Sequence, residues 1–125
     1  MMKTIYTLNA PKPIGPYAQA VVSNGLLFTS GQIALDPVTN DMAGEDIETQ
    51  TRQVLANLAA VLDQAGSNPQ KVVKTTIFLA DLADFTVVNG LYGEFFGDHK
   101  PARSTVQVAA LPKSARIEIE LVAEI

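Results

Sequence analysis

The sequence predicts an α+β fold, a two-layer sandwich in which a mixed β-sheet of about six strands carries two helices on one face. Three observations predict it. Two β-rich runs flank Ser23-Asn24-Gly25 in "VVSNGLLFTSGQI". Two later segments repeat apolar residues at helical spacing, and the strand-like runs between and after them alternate with a two-residue period.

Taken in order, Asn24-Gly25 supplies the positive φ angles of a tight turn, so residues 18–33 form a hairpin, with an additional N-terminal strand at "KTIYT". The turn-rich "ALDPVTNDMAGED" leads into a helix in which Ile47, Val54, Leu58, Val61, Leu62 and Ala65 share a face, and Gly66 stands where a C-terminal cap belongs. Residues 71–80, "KVVKTTIFLA", are alternating and β-branched, hence a strand. Asp81 or Asp84 then caps a second helix with the stripe Phe85, Val88, Tyr92, Phe95 and Phe96. Strands at about 103–109 and 115–124, separated by "LPKS", close the chain.

One domain, residues 1–125, accounts for all of this, and 47% apolar content is enough for a single core. No internal repeat or low-complexity tract divides it. The formal net charge is -4, with 9 basic residues spread along the chain, which argues against nucleic acid and anionic membrane as partners. With no cysteine there is no thiolate nucleophile, disulfide or cysteine zinc site. The N-terminus has no apolar run of signal-peptide length and no 18-residue apolar span occurs, so a cytoplasmic location is expected.

Two helices cover one face of such a sheet. Val106 and Val108 of the first closing strand, and Ile117, Ile119 and Leu121 of the second, are the expected helix contacts. By the two-residue period Arg103, Thr105, Gln107, Arg116, Glu118 and Glu120 then share the opposite face, with Phe78 or Leu79 beside them. A homo-oligomer that buries this face and leaves polar clefts between subunits is the expected assembly.

Few residues suit chemistry. Arg103 matches a carboxylate by its planar fork, or else pairs across strands with Glu118 or Glu120. A partly desolvated glutamate at 118 or 120 holds water as a general acid or base; the alternative is a solvated strand-face charge. Tyr17, after the Gly-Pro corner of "IGPYAQA", either donates to a ligand or packs its ring. In "TSGQI" Ser30 offers a hydroxyl, and Gly31 marks the close approach of a backbone or a ligand. The only histidine, His99, has no nucleophile or metal-ligand set around it, and no calcium-loop, dinucleotide or phosphate-loop pattern is present.

The separated motifs "APKPIGPYAQA", "FTSGQIALDP", "VNGLYGEFF" and "HKPARSTVQVAALPKSARIEIELVA" resemble the Rid (YjgF) family, in particular its reactive intermediate deaminase A branch, from about residue 9 to residue 124. The resemblance implies a chorismate-mutase-like α+β fold and a homotrimer with three clefts between subunits. It also implies hydrolysis of enamine and imine intermediates, such as 2-aminoacrylate and 2-aminocrotonate, to 2-keto acids and ammonia without a cofactor or a metal. Arg103 resembles the family's carboxylate clamp, and Glu118 the glutamate that positions the hydrolytic water. Thr105 stands where many members have cysteine, and its backbone N–H is the implied contact. Tyr17, Ser30, Gly31 and Asn89 resemble the remaining cleft residues, while Glu120 and His99 stay structural or solvated. Gln107 replaces a frequent glutamate. The rival expectation is a protein that binds 2-keto acids or similar metabolites without turnover, in which Glu118 would have no evident use.

Overall fold

The computed structural model describes residues 2–125; Met1, the first residue of the predicted domain, lies outside them. The elements follow the predicted order: β1 (Lys3–Ile5), β2 (Ala20–Ser23), β3 (Leu26–Thr29), α1 (Ile47–Gln64), β4 (Val72–Leu79), α2 (Phe85–Phe96), β5 (Ala102–Gln107) and β6 (Ile117–Glu124). One six-stranded sheet runs β1-β2-β3-β6-β4-β5. Every pairing is antiparallel except β4 with β5, which are parallel because α2 carries the chain back across the sheet between them.

Local chemistry explains the boundaries. Asn24 and Gly25 have φ of 52° and 76°, the pair of left-handed residues that a two-residue hairpin turn between β2 and β3 demands. At the start of α1 the Asp46 carboxylate accepts the Thr49 N–H at 2.9 Å. Its far end closes on Gly66 at φ 79°, with Ser67 N–H donating to the Leu62 carbonyl and Gly66 N–H to that of Asp63. Of the two aspartates expected to cap the second helix, Asp81 does the capping: it accepts the Ala83 N–H of a 3₁₀ turn that leads into α2, whereas Asp84 makes no side-chain cap.

The core lies between the sheet and the two helices. Val54, Leu58, Val61 and Leu62 of α1 and Val88, Tyr92 and Phe96 of α2 are buried against Leu27, Ile77, Leu79, Ile117, Ile119 and Leu121. Among the described residues the other face of the sheet has no layer over it: Phe28 is 45% exposed and Val106 43%. Among the described residues no helix is long and apolar enough to cross a membrane.

Much of the chain between β1 and β2 and between β3 and α1 is irregular, so its backbone groups need other partners. Isolated backbone bridges, such as Gln32 with Ile119, supply some of them, and three buried side-chain amides supply others. Gln19 accepts the Thr7 N–H at 2.7 Å and donates to the carbonyls of Thr7 and Pro11. Asn57 donates to the Leu35 carbonyl at 3.0 Å, while Gln50 donates to that of Gly44 and accepts the Arg116 N–H. Gln19→Ala strands these groups in an apolar setting, each at about 1–3 kcal/mol. A lower urea midpoint and faster hydrogen exchange at the Thr7 amide are the expected results; unchanged exchange there would show that Gln19 does not hold the segment.

Candidate active site

Tyr17, Ser30, Gly31 and Glu118 come together around one cavity of about 470 Å³, walled by Ile14, Ile33, Leu35, Pro112 and Lys113. Glu118 reaches it from the uncovered face of β6, opposite Phe78 of β4. Ser30 and Gly31 follow directly after β3 rather than lying within a strand as expected. Glu118 carries the unusual environment. Burial, and secondarily the Glu120 carboxylate two residues along the same strand face, push its pKa above the usual carboxylate range.

Gly31 explains how Glu118 lies there. A Cβ at position 31 would stand 2.7 Å from Cδ and 2.9 Å from Cγ of Glu118, closer than any real contact. The expected close approach at this glycine is therefore made by the chain's own carboxylate. Ser30 donates its hydroxyl hydrogen to the Ala18 carbonyl at 2.6 Å, so only its lone pairs face a ligand. Tyr17 has the opposite polarity. Its oxygen accepts the Ile14 N–H at 3.3 Å, leaving the phenol hydrogen to donate.

Arg103 is elsewhere. In the parallel register Thr75, Ile77 and Leu79 of β4 stand opposite Arg103, Thr105 and Gln107 of β5. The β4 residues are buried beneath the helices, so their β5 partners lie on the helix face too. The expectation that these three share a face with Glu118 is thus reversed for β5 and correct for β6. Val106, expected against the helices, lies on the uncovered face opposite Phe78. Nor can Arg103 pair across neighbouring strands with Glu118 or Glu120, because β4 runs between β5 and β6.

On its own face Arg103 is held by α2. Nη1 donates to Asn89 Oδ1 at 2.8 Å, and the guanidinium carbon lies 4.9 Å from the Tyr92 ring centre and 5.3 Å from that of Phe85. A second cavity, of about 420 Å³, opens here along Asn89, Tyr92 and Arg103. Val108 N–H bonds to the Leu79 carbonyl, so by alternation the N–H groups of Arg103, Thr105 and Gln107 point off the free edge of the sheet. Among the described residues the Thr105 hydroxyl is buried without a partner, and the Gln107 side chain accepts the Leu82 N–H.

Glu120 is exposed, and His99 is occupied with the Val72 carbonyl at 2.6 Å, in keeping with the structural or solvated roles expected of both. Sequence reasoning missed Phe85 and Tyr92 as partners of Arg103, although the i, i+4, i+7 spacing of Phe85, Asn89 and Tyr92 puts all three on one stripe of α2. It also missed the apolar wall of Ile14, Ile33 and Leu35, which no local pattern marks.

The family model described as Endoribonuclease L-PSP matches residues 7–125. The chain belongs to the Rid (YjgF) family. It is 55% identical to a RutC family protein of Synechocystis over 98% of this chain and 95% of the relative. It is 50% identical to the 2-iminobutanoate/2-iminopropanoate deaminase of Salmonella typhimurium over 98% of each chain. The solved structure of TdcF from E. coli with bound serine superposes with a TM-score of 0.94 at 42% identity, covering 98% of each chain. These full-length matches agree with the α+β fold, with a six-stranded mixed sheet and two helices, and with the extent of the resemblance read from the Rid motifs.

Two predictions test the Glu118 environment. In Gly31→Ala the obstacle to the new methyl is the end of a flexible side chain, so the fold persists while the carboxylate swings into water. Its pKa then falls towards the ordinary range, measurable by carboxyl-carbon NMR; coincident titrations of variant and wild type would mean that Glu118 does not rest on Gly31. The second concerns stability. A folded pKa above the unfolded one means that ionised Glu118 opposes folding above the folded pKa and costs nothing below the unfolded value. Glu118→Gln is therefore expected to raise the urea midpoint at neutral pH, with the gap closing as pH falls through the shifted pKa. A pH-independent gap would assign the effect to packing.

Proposed function

We propose that the protein is a hydrolytic deaminase of enamine and imine intermediates, including 2-aminoacrylate and 2-aminocrotonate, yielding 2-keto acids and ammonia. The observation that carries this reading is the division of the site. Arg103, which has no carboxylate partner among the described residues, and the partly desolvated Glu118 lie on opposite faces of the sheet, so neither neutralises the other within one chain. A ligand with a carboxylate at one end and a hydrolysable C=N bond beside it uses both, if a second copy of the chain brings its Arg103 edge to the Glu118 cavity. The exposed Phe28 and Val106 and the free edge of β5 favour such an assembly, for which we propose a homotrimer with three clefts between copies. The names of the Salmonella relative and of the serine-bound TdcF structure support a small carboxylate-bearing ligand.

In this reading the substrate carboxylate takes the Arg103 guanidinium and the Thr105 N–H. Its enamine form tautomerises to the imine, whose carbon meets a water held by Glu118. With the imine protonated on nitrogen, the water oxygen bonds to that carbon as one water proton passes to the Glu118 carboxylate and the C=N π pair moves to nitrogen, giving a neutral carbinolamine. Glu118 returns that proton to the amine nitrogen, and the C–N bond breaks to release ammonia as the carbinol O–H passes its proton to the Glu118 carboxylate and the C=O forms. A carboxyl group with a raised pKa is suited to these transfers. Ser30 and Tyr17 offer an acceptor and a donor to the nitrogen and the nascent oxygen, and the apolar wall of Ile14, Ile33 and Leu35 receives the side chain.

The test couples a serine/threonine dehydratase to this protein and times keto-acid formation. Wild type is expected to accelerate it. Glu118→Gln should lose about 100- to 10,000-fold as a general acid–base group is removed. Arg103→Ala, losing charge-assisted bonds, should fall at least about 10- to 100-fold in kcat/KM. Co-refolding the two inactive variants should restore about a quarter of the clefts by random assortment, since each supplies the residue that the other lacks. No acceleration by folded wild type would reject the deaminase and favour keto-acid binding; no restoration on mixing would reject a cleft shared between copies.

A further inference from the structure

We infer that Tyr92 is a positioning residue for Arg103, holding the guanidinium in place through its ring while leaving the positive charge available to a carboxylate. This rests on the proposed carboxylate-binding role of Arg103. A free arginine on an edge strand has several rotatable bonds and ordinarily either finds an acid or moves in water. Among the described residues Arg103 has no acidic partner within salt-bridge distance. It has instead a neutral acceptor, Asn89 Oδ1 at 2.8 Å, and two aromatic rings, of which Tyr92 is the nearer at 4.9 Å. A ring quadrupole attracts the cation without carrying a formal charge, so it orients the fork and does not cancel it.

The Tyr92 ring is itself fixed from behind. Its hydroxyl lies 2.7 Å from Thr75 Oγ1, a buried pair, and its ring packs on Phe96 with centroids 4.6 Å apart. Thr75 is the β4 residue that stands directly opposite Arg103 in the parallel register. The strand that fixes the backbone of Arg103 thus also fixes, through one hydroxyl pair, the surface on which its side chain rests. Burial keeps the phenol protonated above its usual range, so the contact does not change with pH near neutrality. Phe85 completes the bed from about two turns away on the same stripe of α2.

The ring and the hydroxyl are separated by two double variants. Thr75→Val with Tyr92→Phe removes both hydroxyls and keeps the ring; Thr75→Val with Tyr92→Leu removes the ring as well. Titration with 2-oxobutyrate and ¹⁵N relaxation at Arg103 Nε read the outcome. The Phe variant is expected to bind within about 3-fold of wild type, and the Leu variant about 3- to 30-fold more weakly, with a loss of order at Arg103 Nε and a change in KM larger than that in kcat. Should the Leu variant fail to fold, Phe85→Leu tests the same bed and is expected to shift binding in the same direction. Equal affinity and equal Arg103 order in the Phe and Leu variants, with wild type binding, would overturn the positioning role alone. If wild type binds no keto acid, the carboxylate-clamp reading falls, and the relaxation data alone then decide whether Tyr92 orders Arg103.

Discussion

The parallel pairing of β4 with β5 is the constraint on which the rest of the site depends. Two parallel neighbours require a crossover, and here α2 is that crossover. The same helix that returns the chain also lies beneath the strand it delivers. The register then phases Arg103 towards α2, where Asn89, Tyr92 and Phe85 await it on one stripe. A slip of one residue would turn Arg103 to the uncovered face and aim Ser104 at the helix. Placing β5 last in the sheet also leaves its outward N–H groups, including that of Thr105, without a strand to bond.

That geometry keeps two opposite charges apart. Were Arg103 and Glu118 on one face of neighbouring strands, pairing between them would depress the pKa of Glu118 and occupy the fork of Arg103. The intervening β4 and the thickness of the sheet prevent it. Neither group is met by an opposite charge: Arg103 has an amide and two rings, and Glu118 has partial burial over Gly31 and the like-charged Glu120 beside it. Burial of Glu118 opposes folding when it is ionised, a cost expected where function rather than stability selects the residue.

Periodicity made most of the fold legible. The Asn24-Gly25 turn, the α1 stripe ending at Gly66 and the strand at Val72–Leu79 all follow from local chemistry that the structure obeys. The face of β5 was not legible, for a definite reason. Alternation separates two sides of a strand but does not say which side meets the helices, and the usual guide, that apolar residues face the core, fails on an edge strand whose apolar side is uncovered. Val106 is such a residue. Gln19, Gln50 and Asn57 were silent for a related reason: an amide that staples a buried loop has the same letter as one in water, and only the fold shows which it is.

Those amides matter to the cavity because its walls come largely from irregular chain. Ile33 and Leu35 are tied through their own carbonyls to Asn57 of α1, and Ser30 through its hydroxyl to Ala18, next to Gln19. Hydrogen bonds to buried side chains do for these segments what ladder bonds do for strands. An interior strand has its backbone groups committed on both sides, whereas a stapled loop is fixed at a few points and leaves other groups to face a ligand. Rigidity from such staples and from isolated bridges like that of Gln32 with Ile119, without a continuous ladder, therefore suits the acid half of the proposed site. The cationic half gains its order differently, from a helix stripe packed on a strand, because a long flexible side chain needs a surface along its length rather than a few fixed points. The two halves solve separate positioning problems, and the opposite faces of one sheet give each the surroundings it needs.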